Sequence, residues 1–203
     1  MTESLPSTVV ARRPRSLFRR LRRDERGAAA VEMALVSLPF FALLGAIMEG
    51  ALNFWSGEVL EVAVHEASRQ IYTGQFQDAQ AAAGTPAGQH GERFQEIVCR
   101  EMSVLIRCDQ LRVDVRTYTN FPQRVPSPIV KAADGTNTLD PAFGAYQPPG
   151  PNQIVVVRAA VQVNVIFSMM NANKSNLTPT TRVVMASAAF RTEPFPTPAA
   201  AGR

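Results

Sequence analysis

Apolar and polar positions are distributed unevenly along the 203-residue chain. From Met33 to Met48, sixteen consecutive residues (MALVSLPFFALLGAIM) carry no charge, and including Ala28–Val31 gives a 21-residue run interrupted only by Glu32. As a helix rising about 1.5 Å per residue, that run spans roughly 31 Å, the thickness of a bilayer core. Ala, Leu, Ile, Met and Phe suit a helix, while Pro39 removes the bond to Leu35 and is expected to kink it. Asn53 and Trp55 fall where an interfacial anchor belongs. A cleavable signal would have a shorter apolar region followed by a small-residue cleavage site, and a soluble core helix is a third reading. Here a further helical pattern follows instead, so residues 28–55 read as a transmembrane helix.

That pattern continues outside the membrane. Leu60, Val64, Ala67 and Ile71 recur at spacings of four, three and four, opposite a polar stripe of Glu58, Glu61, His65 and Ser68. Residues 56–73 therefore extend the same helix, and Thr73-Gly74 supplies its stop. A helix over 28–72 would be roughly 67 Å long. Residues 74–91, rich in Ala, Gly and Gln, read as a linker or weakly helical spacer. A helix is predicted over Glu92–Ile106, with Phe94, Ile97, Val98, Met102 and Leu105 at helical spacing. Leu111–Thr119 alternates Leu111, Val113, Val115 with Arg112, Asp114, Arg116, the pattern of a half-buried strand. Ile154–Phe167 places Val157, Val161, Val163, Val165 and Phe167 opposite Arg158, Gln162 and Asn164, and Thr181–Arg191 is a third strand. The Asn-rich stretch NANKSN between the last two fits a turn. Residues 120–153 hold seven prolines and no convincing element, as in a functional or mobile loop. The expected fold class is α+β: a long N-terminal transmembrane helix, then a module at 92–195 of one helix and a three-stranded antiparallel sheet, and a tail at 196–203. So few elements bury only a modest core, and the module is expected to lean on the helix before it or on neighbours.

Charge sets the orientation. Residues 1–27 carry eight arginines against Glu3, Asp24 and Glu25, a balance of +5, whereas residues 28–203 carry 13 basic and 14 acidic groups. The run RRPRSLFRRLRRDER ends just before the apolar segment, and no Lys or Arg follows until Arg69. The positive-inside rule makes 1–27 a cytoplasmic leader and exports the chain beyond about Trp55. The lipid bilayer is thus one partner, with acidic headgroups a secondary contact for the arginines. A nucleic-acid role would need the positive charge on the folded part, so no nucleic acid is expected. Two His and two Cys exclude a conventional multi-Cys/His metal site and a dense disulfide scaffold. His65 reads as a member of the polar face and His90, within GQHGE, as loop.

Cys99 and Cys108 both lie in the exported module. On one unbroken helix they would be about 13 Å apart along the axis, too far to bond. A disulfide requires the helix to end near Ile106 and the chain to fold back toward Leu111. Two unpaired thiols is the alternative, though it fits an oxidising compartment poorly. Neither a His base for a catalytic Cys nor further zinc ligands are visible, and no nucleotide-binding or hydrolase motif is present. The chain therefore reads as no enzyme, with no catalytic residues and no cofactor. Sequons at Asn173 and Asn176 carry little weight in a chain of bacterial appearance.

The stretch RDERGAAAVEMALVSLPFFALLGAIMEG resembles the TadE-like family of tight-adherence (Tad/Flp) pilus assembly proteins. Arg23-Asp24-Glu25-Arg26-Gly27 before small residues and Val31-Glu32 is similar to the family's opening. Glu49-Gly50, the Glu66–Arg69 region with Thr73-Gly74, and the tail Ala188–Phe195 are similar as well. Met33, where such pilins often carry an aromatic residue, departs from the pattern. The resemblance implies a minor pilin-like (pseudopilin) subunit, cut on the cytoplasmic side by a prepilin peptidase between Gly27 and Ala28, with Glu32 at the fifth mature position. Its implied partners are that peptidase, other pilins and pseudopilins, and the inner-membrane platform of the pilus machine. An uncleaved scaffold of the same complex is the alternative, and a membrane-tethered periplasmic enzyme is a third class. A carboxylate in lipid is costly unless paired, which makes Glu32 and Glu49 assembly candidates on physical grounds too; both could instead sit hydrated near the two interfaces.

Overall fold

A computed structural model describes residues 27–102, 107–122, 124–165, 177–178 and 180–196. The chain divides into two compact units, residues 1–45 and 46–203. The predicted leader, the Asn-rich turn and most of the tail lie outside the described residues. The helix expected to run to Ile106 instead ends at Glu101, with Met102 already extended, and the strand expected to run to Phe167 ends at Asn164.

Helix α1, Ala28–Tyr72, runs for 45 residues with Pro39 inside it. In the first unit its apolar side chains point outward all round, Leu35 at 71% and Leu38 at 74% exposed among them. A helix that is apolar on every side needs a solvent other than water or a partner to cover it. One such helix, long and apolar enough to cross a membrane, is present among the described residues.

In the second unit the helical spacing does what the sequence pattern predicts. Leu60, Val64, Ala67 and Ile71 are fully buried and join Ala63 in the main core. Ser68 departs from its expected place on the polar stripe: it is buried, at 3% exposure. Seven residues after the buried Glu61-adjacent Leu60 comes Ala67, and Ser68 lies close enough to that stripe to be carried under the module with it.

The chain turns at Gly74 (φ 81°), where a Cβ would lie 2.6 Å from the Phe195 ring. The stretch expected as a linker or weak spacer then forms an eight-residue helix, α2 (Gln75–Ala82), and a short 3₁₀ turn at Ala87–Gln89. One buried aromatic explains this: Phe76 enters the core and meets Phe94 edge-on at 5.5 Å. Helix α3, His90–Glu101, buries Phe94 and Val98. His90 opens it rather than lying in a loop, its Nε2 3.0 Å from the Thr85 carbonyl oxygen.

Three antiparallel strands, β1 (Leu111–Tyr118), β4 (Ile154–Asn164) and β5 (Thr181–Arg191), form a sheet in the order β1-β4-β5. Val113 pairs with Ala159 and Val157 with Ala188. One face, carrying Val115, Val157 and Ala186, shares the main core with α1, α2 and α3. The Pro-rich segment is not featureless. It contains a hairpin of β2 (Ile129–Lys131) and β3 (Asn137–Leu139), whose turn uses Gly135 at φ 80°. There the Asp134 carboxylate accepts bonds from the Thr136 hydroxyl (2.6 Å) and amide (3.0 Å), which lowers its pKa. Phe143 from this segment packs with Ala160 and Val183 over the second sheet face. Strand β4 is consequently buried from Ile154 to Val161.

Candidate functional site

The residues singled out at and within the long apolar helix fall into two groups. Gly27 immediately precedes α1, Ala28 is its first residue, and all three of Gly27, Ala28 and Glu32 are exposed. Ala28 and Glu32 are four residues apart and so share one helix face. A Cβ added at Gly27 would meet nothing within 4 Å, so the fold itself does not demand glycine there. Glu49 differs: it is 6% exposed, buried within the second unit rather than hydrated.

In the module, Cys99 and Cys108 are joined by a disulfide with their Cα atoms 5.7 Å apart. The required fold-back is present. Helix α3 stops at Glu101, Met102 is extended (ψ 148°), and Cys108 begins a 3₁₀ turn leading into β1. Next to the bridge, Arg107 and Asp109 form an exposed bidentate pair (Nη2 to Oδ2 2.8 Å) that raises the arginine pKa and lowers the aspartate pKa.

Sequence reasoning missed the most concentrated polar constellation. Asp114 and Arg158, expected on the solvated faces of their strands, are buried at 0% and 6% exposure. The two residues are cross-strand partners in the sheet. Arg158 donates through Nε (3.2 Å) and Nη2 to Asp114 Oδ2, and Arg116 Nε donates to the same carboxylate at 3.1 Å. The amides of Ala145 (3.2 Å) and Gly144 (3.4 Å) donate to Asp114 Oδ1. Arg158 also donates to the Pro126 carbonyl, and its guanidinium lies 5.0 Å from the centroid of the Phe143 ring. Asp114 and Arg158 thereby tie both ends of the Pro-rich segment to the sheet. Opposite charges at facing positions of predicted neighbouring strands were the available signal.

Tyr146 lies among Phe76, Phe94 and His90, and burial raises its pKa well above the ordinary phenol value. Among the described residues, no three His, Cys, Asp or Glu side chains gather as a metal site.

The long apolar helix is where likeness to known proteins is found. Residues 27–69 match the family described as TadE-like protein. This segment is TadE-like. No curated protein and no solved structure matches the chain. The TadE-like segment begins at the residue before α1 and ends three residues before its close, so it coincides with the apolar span and the helix beneath the module. A TadE-like segment suggests involvement in Tad pilus assembly, and the apolar helix within it suggests membrane anchoring. The similarity noted at 188–195 lies outside the matched residues.

Proposed function

We propose that this chain is a pseudopilin: a non-enzymatic subunit that helps build a Tad-type adhesive pilus. On this reading α1 anchors it in the bacterial inner membrane, the arginine-rich leader holds the N-terminus in the cytoplasm, and the module lies in the periplasm. A prepilin peptidase cuts between Gly27 and Ala28. Removal of the +5 leader frees the helix to be drawn from the membrane toward other pilins and the platform of the machine. The new amino group at Ala28 of one subunit then pairs with the Glu32 carboxylate of a neighbour, which offsets the cost of placing that charge in lipid.

The observation that carries this reading is the TadE-like match, which starts at Gly27 and covers a helix whose apolar side chains up to residue 45 are exposed all round. Two variants test it. Gly27→Leu has open space in this chain, so a failure to be cut would reflect the fit of the peptidase. Glu32→Ala removes a carboxylate costing on the order of 2–3 kcal/mol at worst depth, and should insert at least as readily as wild type. The expected outcomes differ: the first variant stays uncut, while the second is inserted and cut but fails to enter the assembly. Wild-type pilus formation by both would replace this mechanism with that of an uncleaved scaffold.

A further inference from the structure

The two edges of the three-stranded sheet are treated differently. At β1, Val115 donates to the Ala145 carbonyl (2.8 Å) and accepts from the Gln147 amide (2.9 Å), and the Thr117 amide donates to Gln147 Oε1 (2.9 Å). That edge is filled by the chain's own residues 145–147. The β5 edge is not. The Val165 amide donates to Thr180 O (2.7 Å) and the Thr192 amide to Gln153 O (2.9 Å), a register that turns the even-numbered residues of β5 toward β4. The amides and carbonyls of Met185, Ser187, Ala189 and Arg191 therefore face away from the sheet, and the side chains of these residues are exposed. Between Met185 and Ala189 there is no proline and no charge, the devices that usually blunt an edge strand. Arg191 closes this stretch and has no ion-pair partner among the described residues.

We propose that the outer edge of β5 from Met185 to Arg191 is a strand-pairing site for an extended segment of another protein, uncharged beside Met185–Ala189 and acidic beside Arg191. Seven residues of strand span roughly 20 Å, and main-chain bonds to an open edge are a recurring mode of peptide capture. Pairing with the sheet edge of a second copy does not fit. Its β1 edge is already filled, and its β5, TRVVMASAAFR, contains no Asp or Glu, so no register of β5 against β5 gives Arg191 an acid.

The test uses the full chain in detergent micelles and two blocked seven-residue peptides of alternating threonine and valine. One carries aspartate at each end and the other lysine. Amide hydrogen exchange is read residue by residue. With millimolar aspartate peptide, exchange at Met185, Ser187 and Ala189 should slow about tenfold, while Val184, Ala186 and Ala188, already bonded to β4, should not change. The lysine peptide should protect far less, and Arg191→Glu should reverse that preference. Ser187→Pro removes only an outward amide and should abolish the protection, with the β4-facing amides showing that the sheet persists. Three results would each overturn the proposal: no slowing in the folded wild-type chain, equal slowing by both peptides, or slowing that grows with protein concentration in the absence of peptide. The last would make a second copy the occupant.

Discussion

Asp114→Ala is the perturbation with the largest effect expected in the module. The carboxylate is fully buried and serves two guanidinium groups and two backbone amides. Its loss leaves Arg158, with a side chain 7% exposed, as a buried cation held, among the described residues, by the Pro126 carbonyl and the face of Phe143. An uncompensated buried charge costs about 3–5 kcal/mol, whereas Arg116, 30% exposed, can turn toward water at little cost. A loss of about 4 kcal/mol follows, or a fall of about 2 M in the urea midpoint at a slope near 2 kcal/mol/M. The assay is urea unfolding of the full chain in micelles, followed by far-ultraviolet circular dichroism. Arg158→Met should cost less, because Asp114 keeps Arg116 and both amides. The double variant Asp114→Ala/Arg158→Met should lose less than the two single losses added together, since the Arg158 charge is then not left alone. A midpoint shift below about 0.5 M for Asp114→Ala, or strict additivity in the cycle, would refute this account of the cluster.

The Cys99–Cys108 bridge closes a short loop and should stabilise by about 2.5 kcal/mol in the chain-entropy picture, so Cys99→Ser should lower the urea midpoint by about 1 M. Two freely alkylated thiols in native extract would refute the bridge. For Tyr146, burial favours the neutral phenol, so the folded pKa lies above that of the unfolded chain. Its contribution is complete below about pH 10 and is lost as pH rises further, at up to about 1.4 kcal/mol per unit. Unfolding measured between pH 9 and pH 11.5 should therefore show a steeper alkaline decline for wild type than for Tyr146→Phe, and equal slopes would contradict this.

Much of the architecture is visible in residue spacing. The uncharged run fixes the apolar helix, the Leu60–Ile71 period fixes which side of it the module covers, and the alternation at 111–119 and 154–167 locates two strands. The change of pattern between Cys99 and Cys108 predicts the fold-back that their disulfide needs. What alternation cannot tell is whether a polar residue faces water or a second layer. Asp114 and Arg158 occupy polar positions in regular strands, yet the Pro-rich segment covers that face and leaves them paired in the interior. That segment looks unstructured because its elements are only three residues long and its folding depends on partners far along the chain. The helix at Gln75–Ala82 is hidden for a related reason: its Ala- and Gln-rich composition is that of a spacer, and one buried aromatic, Phe76, decides its fate.

The pseudopilin reading stands or falls on the N-terminus of the mature protein. Intact-mass and N-terminal peptide spectrometry on the chain isolated from membranes of cells carrying the pilus machine measures it directly. The account predicts a chain that begins at Ala28, with a fraction starting at Met1 only when the peptidase is absent. A membrane-embedded population that retains the arginine leader in peptidase-competent, piliated cells would contradict it.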